Sequence, residues 1–273
     1  MSDQTPKSSG WQLEGSAAEA YERYFVPAIF ASWAERLVDR ADIREGERVL
    51  DLACGTGIVA RRIASRSSDG GSVVGLDVNE GMLEVAKETA DAEGLPIEWH
   101  QSDATALSFP DERFDVVCCQ QALQFIDDAA GALREVHRVL APGGRAVLSV
   151  WRPLEYNPGY AVLADALERH LGEEAGGMMR SPFPEWDADD LRDLATGAGF
   201  DDQTITIEVG SVRYPSPAEF VRREVASSPL ASDLADGAVR DSLVSDVERE
   251  LRAYTDDEGV VSPMESYVHT IRR

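Results

Sequence analysis

Apolar residues fall into two alternating patterns along the first half of the chain. Short runs dense in Val, Leu, Ile and Cys, at 48–53, 72–77, 114–119 and 145–151, read as strands buried on both faces, with 97–101 as a further strand between the second and third of them. Between them apolar positions recur every three to four residues, which predicts helices over 80–93 and 127–140, and over 55–66 after an opening loop. Gly94 and Pro96 stop the helix over 80–93, and Pro142-Gly143-Gly144 ends that over 127–140. Upstream, Ala17, Ala18, Ala20, Tyr21, Tyr24, Phe25, Ile29, Phe30, Trp33 and Leu37 keep helical spacing through 16–40, with Pro27 breaking or restarting the pattern. Strands alternating with helices through short connections predict an α/β fold: a parallel sheet covered on both faces, with right-handed crossovers.

After Trp151 the alternation stops. Residues 152–186 mix Pro, Gly and aromatics around one helical stretch, 160–171, and are placed to cover a site. A helix over 189–198 ends at Gly199, 203–209 alternates as a strand, 217–254 is mostly helical, and 264–272 reads as a last strand. This divides the chain into a disordered leader (1–10), an N-terminal helical cap (11–45), a core (46–151) and a remainder with lid, strands and helical insertion (152–273).

Composition narrows the partners. The formal net charge is −24, from 50 acidic and 26 basic residues, and the only lysines are Lys7 and Lys87. Such a surface repels a phosphate backbone, so nucleic acid is excluded as an expected partner. Arg61-Arg62 and Arg222-Arg223 read as solvated helix faces. An evenly acidic, lysine-poor chain suits a salt-rich cytoplasm, where ions screen its self-repulsion. No apolar run is long enough for stable membrane insertion, and the polar start lacks a signal-peptide core. Cys54, Cys118 and Cys119, without C-x-x-C spacing, indicate neither a disulfide framework nor a metal site. Cys118 and Cys119 sit in an apolar run and should pack as small hydrophobes.

The candidate chemistry lies at the ends of the first strands. Gly55-Thr56-Gly57 follows the first strand and opens a helix, where free N–H groups meet a ligand, and Asp77 ends the second strand, as a ribose diol requires. That much is a generic nucleotide pattern. Asp51 and Asp103 specialise it. A carboxylate at Asp51 would repel a pyrophosphate but attract an ammonium, and Asp103 past the third strand can accept from an adenine amine. The plainer alternatives are a helix cap at Asp51 and a turn or N-cap at Asp103.

Residues 49–61, Val-Leu-Asp-Leu-Ala-Cys-Gly-Thr-Gly-Ile-Val-Ala-Arg, resemble the first motif of the class I S-adenosylmethionine-dependent methyltransferases. The segments 75–83, 101–110, 114–125 and 133–144 are similar to later motifs of that family, closest to its ubiquinone and menaquinone C-methyltransferases. The resemblance implies a three-layer, Rossmann-like sheet of seven strands, mostly parallel with the last antiparallel, strands 203–209 and 264–272 being the sixth and seventh. It implies that S-adenosylmethionine lies against Ala53, Gly55 and Gly57, with Asp51 at its ammonium and Asp77 at its ribose. Val78 and Met82 would pack on adenine, Asp103 and Ala104 would meet its edge, Gln120 would face the donor, and Tyr21, with Tyr24, would fold over it. The implied activity is methyl transfer to a small or lipid-like acceptor. No catalytic base emerges: His170 and His269 lack a partner constellation, His137 reads as structural, His100 ends the third strand facing the cleft with catalysis as its minor reading, and no metal-ligand cluster appears. An NAD-dependent oxidoreductase is the alternative enzyme, disfavoured by Asp51, Asp103 and Ala60 in place of a third glycine. A non-catalytic sensor of the donor is the other alternative.

Overall fold

The computed structural model describes residues 16–66, 70–226, 228, 230 and 237–273. The expected leader and the first residues of the cap lie outside them.

Alternate residues of each central strand turn to opposite faces, which is why the apolar runs are unbroken. In β1 (Arg48–Leu52), Val49 packs under the helix α2 (Ala31–Ala41), while Leu50 and Leu52 enter the core on the other face. In β4 (Phe114–Gln120), Val116 and Cys118 join the first face and Val117 and Cys119 the second. All three cysteines are buried and free. With β2 (Ser72–Asp77), β3 (Ile97–Gln101), β5 (Leu140–Trp151), β6 (Asp202–Tyr214), β7 (Thr255–Asp256) and β8 (Gly259–Arg272), the sheet runs β3-β2-β1-β4-β5-β8-β6, and β7 pairs onto β8. β1 to β5 are parallel, and β8 is antiparallel to both β5 and β6. The expected seven-stranded sheet is therefore present, with the last strand reversed and the short β7 added.

Three elements differ from the sequence expectation. β5 starts at Leu140, so α5 (Ala129–Val139) ends earlier than expected and Pro142-Gly143-Gly144 belongs to the strand. Its register slips between Phe114↔Leu140 and Val116↔Arg145, a bulge. The bulge is held by Gly143 N–H on Arg273 O and Arg273 N–H on Gly144 O, contacts from the far end of the chain. Next, β6 and β8 are longer than 203–209 and 264–272, because beyond Trp151 they continue paired to each other from Gly210↔Met264 to Tyr214↔Val260. Finally, 152–186 holds two helices, α6 (Pro158–Leu171) and α7 (Glu173–Arg180). Gly176 and Gly177 weaken the helical signal of α7. Gly176 is needed there: a Cβ on it would lie 2.7 Å from Glu168 Cβ on α6.

Before the sheet, α1 (Ser16–Ala20), a stretch of wider π turns (Tyr21–Phe30) and α2 form one continuous rod. Pro27 does not stop it. The wider turns, with Ala31 N–H bonded to Val26 O, carry the chain past the missing donor. α8 (Ala188–Gly197) caps the core on the side of α5, while α6, α7, α9 (Pro217–Ala226), α10 (Gly237–Glu250) and the π stretch enclose a separate aromatic core above the ends of β5, β6 and β8.

Candidate active site

The connections after β1 and β4 leave in opposite directions across the sheet, which opens a crevice at the carboxyl ends of these neighbouring strands. A cavity lies there, open to solvent and lined by Tyr21, Phe30, Asp51, Ala53, Gly55, Asp77, Val78, Met82, Gln120, Gln121 and Phe125 among others. Asp51 is 1% exposed. Its Oδ2 accepts Ala60 N–H at 2.9 Å, in the first turn of α3 (Ile58–Arg66), so it does cap that helix as well as line the cavity. Burial, with the negative charge of Asp77 nearby, pushes its carboxyl up to about 8. The Asp77 carboxylate accepts Gly55 N–H at 2.8 Å and Asn79 N–H at 2.9 Å, and burial raises its pKa above the usual carboxylate range. Among the described residues, no Arg, Lys or His lines this cavity. Two buried carboxylates without a counter-cation suit a cationic ligand and repel a diphosphate. The residues therefore fit a sulfonium donor carrying an ammonium and a ribose, and do not fit a dinucleotide.

Of the predicted donor residues, Tyr21, Asp51, Ala53, Gly55, Asp77, Val78, Met82 and Gln120 are brought together around this cavity. Val78 is 52% exposed, an apolar side chain left uncovered beside it. Gln120 Nε2 donates to Phe30 O at 3.0 Å, pinning the π stretch over the tip of β4. Tyr21 stacks on Phe30 at 5.1 Å. Gly57, Asp103 and Ala104 do not line the cavity. Gly57 lies against Trp99 and Ala86, Asp103 is exposed with its Oδ1 accepting Thr105 N–H and Oγ1–H at 2.8 Å, and Ala104 is buried in the core. Tyr24 faces the guanidinium groups of Arg23, Arg222 and Arg223.

A second, smaller space adjoins the first. Phe25, Ile29, Trp151, Met179, Phe183 and Met264 make it apolar, and Tyr21, Phe30, Gln121 and Phe125 line both spaces. Gln121 sits at this junction in the left-handed region (φ +51°), donates Nε2–H to Ser266 Oγ at 3.0 Å, and leaves Oε1 buried without a partner among the described residues. The chamber's one carboxylate among the described residues is Glu224, 2% exposed. Its Oε1 accepts the hydroxyl protons of Tyr160, at 2.9 Å, and of Tyr214. Burial pushes it up to about 7 against the two hydrogen bonds, which oppose the rise.

Sequence reasoning missed Gln121 and Glu224. Glu224 carried a signal: on α9 it continues the buried stripe Phe220, Val221, Val225, where an apolar residue is expected. The histidines stand apart from both spaces: His100 meets Glu98, His137 packs on Phe200, His170 meets Asp246 and His269 meets Gln203. Among the described residues no cluster of His, Cys, Asp or Glu is placed to hold a metal ion, and no helix is long and apolar enough to cross a membrane.

Residues 49–144 match a family model described as a methyltransferase domain. The demethylmenaquinone methyltransferase of Thermus thermophilus is 42% identical over 121 residues, 44% of this chain and 54% of that protein, so the chain spans about half the length of this relative. The ubiquinone/menaquinone biosynthesis C-methyltransferase of Edwardsiella ictaluri is 30% identical over 201 residues, 67% of this chain and 78% of that protein. Among solved structures, phosphoethanolamine N-methyltransferase 2 of Haemonchus contortus, in complex with phosphomonomethylethanolamine and S-adenosylhomocysteine, aligns with a TM-score of 0.58. At 21% identity, covering 93% of this chain and 56% of that one, it is a likeness of fold.

Proposed function

The chain belongs to the class I S-adenosylmethionine-dependent methyltransferases, and from that premise we propose that it methylates a small, lipid-like ring compound seated in the aromatic chamber. One observation carries the reading: the acidic cavity and the apolar chamber meet at a wall formed by Tyr21, Phe30, Gln121 and Phe125. A cationic methyl donor in the first and an apolar acceptor in the second would face each other across that junction. Residues 46–151 would then bind the donor through Asp51, Ala53, Gly55, Asp77, Val78, Met82 and Gln120. Segments 11–45 and 152–273 would close over it and select the acceptor.

The donor's methyl group is already activated by its sulfonium. The protein's own work is to hold the acceptor in line and keep water out, which the chamber's aromatic walls favour. The names of the quinone-methylating relatives support a ring acceptor. The charge of −24 supports a small-molecule acceptor over nucleic acid, and a salt-rich cytoplasm as the working medium.

The test uses the purified chain with methyl-labelled S-adenosylmethionine, demethylmenaquinol as acceptor, and calorimetry with S-adenosylmethionine and NADH. Donor binding at micromolar concentration and label in the quinol are expected. NADH binding without S-adenosylmethionine binding would remove the reading, and tight donor binding with no transfer to any acceptor in a cell extract would make the protein a sensor.

A further inference from the structure

We infer that Glu224 is the catalytic residue that takes a proton from a ring hydroxyl of the acceptor, which makes the acceptor a phenol or hydroquinone. The inference rests on the proposed methyl transfer and specifies its chemistry.

Three features of the structure support it. Glu224 is a buried carboxylate in a chamber otherwise walled by Phe25, Ile29, Trp151, Met179 and Phe183. Phenylalanine at 160 and 214 with leucine at 224 would fill the same space with no buried ionisable group, and such replacements are often neutral or stabilising. The packing therefore does not explain the carboxylate. Second, Tyr160 from α6 and Tyr214 from β6 both donate to Oε1, so Glu224 is held from two sides, while Oε2 takes no hydrogen bond from the described residues. A fixed carboxylate with one uncommitted oxygen is arranged to receive a proton. Third, the chamber opens onto the donor cavity at Gln121 and Phe125, so an acceptor there touches both Glu224 and the donor space.

The titratable groups facing Glu224 are the Tyr160 and Tyr214 hydroxyls, with Tyr21 also lining the chamber. Arg223, next in sequence, is paired instead with Glu219. Burial brings Glu224 to about 7, a value suited to a general base near neutral pH.

In the step, the acceptor's O–H proton passes to Glu224 Oε2. The electron pair released on the ring oxygen, or delivered through the ring to an adjacent carbon, forms the new bond to the methyl carbon. The sulfur–methyl bond breaks and its electron pair stays on sulfur as a neutral thioether. When carbon is methylated, the ring hydrogen at that carbon leaves as a proton to water.

The test uses the full chain with labelled S-adenosylmethionine and three probes: 1,4-naphthohydroquinone kept reduced, 2-naphthol, and 1-naphthylamine, which lacks the hydroxyl. The hydroxyl probes should be labelled, with an acidic limb near pH 7 in kcat/KM. Glu224→Gln should lower kcat by about 100-fold or more, abolish that limb, and leave the donor Kd within about twofold. Tyr160→Phe removes a bond that favours the carboxylate, so the limb should move to higher pH. If Glu224→Gln does not fold by thermal melt, the wild-type limb and its movement in Tyr160→Phe decide the matter. Activity of Glu224→Gln within threefold of wild type, a flat profile through pH 7, or labelling of the amine alone would overturn the inference while methyl transfer stands. No donor binding by the wild-type chain would overturn the proposed function itself.

Discussion

Gly55 N–H donates to Asp77 Oδ2 at 2.8 Å, so the carboxylate at the tip of β2 holds the glycine turn at the tip of β1. Asp77 thereby shapes the turn and offers its carboxylate to the cavity. Removing it should weaken donor binding twice over, by losing charge-assisted bonds to the ribose and by freeing the turn. Asp77→Ala is expected to cost about 1–3 kcal/mol of donor affinity. Asp77→Asn, which keeps an oxygen for Gly55, should cost less. Isothermal titration of both variants measures this, and an unchanged affinity in Asp77→Ala would sink the assignment.

The two glycines of the turn serve different ends. A Cβ on Gly57 would lie 2.5 Å from Trp99 Cη2, at φ +81°. A Cβ on Gly55, which lines the cavity, would meet nothing within 4 Å, at φ +55°. Gly57→Ala should therefore damage the fold, by about 2–4 kcal/mol from overpacking plus left-handed strain. Gly55→Ala should cost about 1–2 kcal/mol of stability from strain alone. Thermal melts and donor titrations in parallel distinguish them, and equal melting losses would contradict the packing difference.

Four of the first five strands, β1, β2, β4 and β5, were legible because each is an apolar run covered on both faces, a local signal; β3, Ile-Glu-Trp-His-Gln at the sheet edge, carries a weaker one. The Pro142-Gly143-Gly144 bulge was not, since what keeps it extended is Arg273, at the other end of the chain. The cavity residues that stand at strand tips, Asp51, Gly55 and Asp77, were legible from spacing. Gly57 looked the same in sequence, but the packing of Trp99 gives it a different task. Glu224 was hidden among Glu219, Arg222 and Arg223, which pair with one another on the solvated face of α9, as their spacing suggests. Its place beside the apolar stripe Phe220, Val221 and Val225 is the local signal that separates it from that face.

Asp51 should make donor binding depend on pH. Burial raises its carboxyl to about 8, so in the free protein at lower pH it is largely protonated. An ammonium binds the carboxylate form, so binding releases a proton and affinity should rise with pH toward about 8. Above that the ligand's own amine, with an α-amino pKa of about 8, loses its charge and affinity should fall. The same raised pKa makes Asp51 a cost to the unliganded fold. The folded state binds more protons than the unfolded state from about pH 4 upward, so the contribution to stability declines from there to pH 8. Asp51→Asn should therefore raise the melting temperature of the free protein at pH 8, by at least about 1 kcal/mol in stability, while abolishing the rise of affinity toward pH 8 and leaving the fall above it. Titrations from pH 6 to 9 with calorimetric melts measure both; a flat affinity profile in the wild type would remove Asp51 from the ammonium site.

The charge of −24 should make the fold salt-dependent in a defined direction. Two opposing terms respond to salt. Surface pairs such as Arg66–Asp39 and Arg213–Asp256 are attractive and weaken on screening, but exposed pairs contribute only about 0–1 kcal/mol each. The excess of 50 acidic over 26 basic residues is repulsive over longer distances, and screening relieves it. Repulsion between unpaired charges acts beyond contact range, where a Debye length of about 10 Å at 0.1 M falls to about 3 Å at 1 M. The repulsive term should dominate, and the melting temperature should climb by several degrees between 0.1 and 1 M KCl. Screening is nearly complete by about 1 M, so the climb should level off above it. A linear rise continuing to 3 M would indicate a general solute effect instead. A fall over the first interval would mean that the surface ion pairs outweigh the net charge.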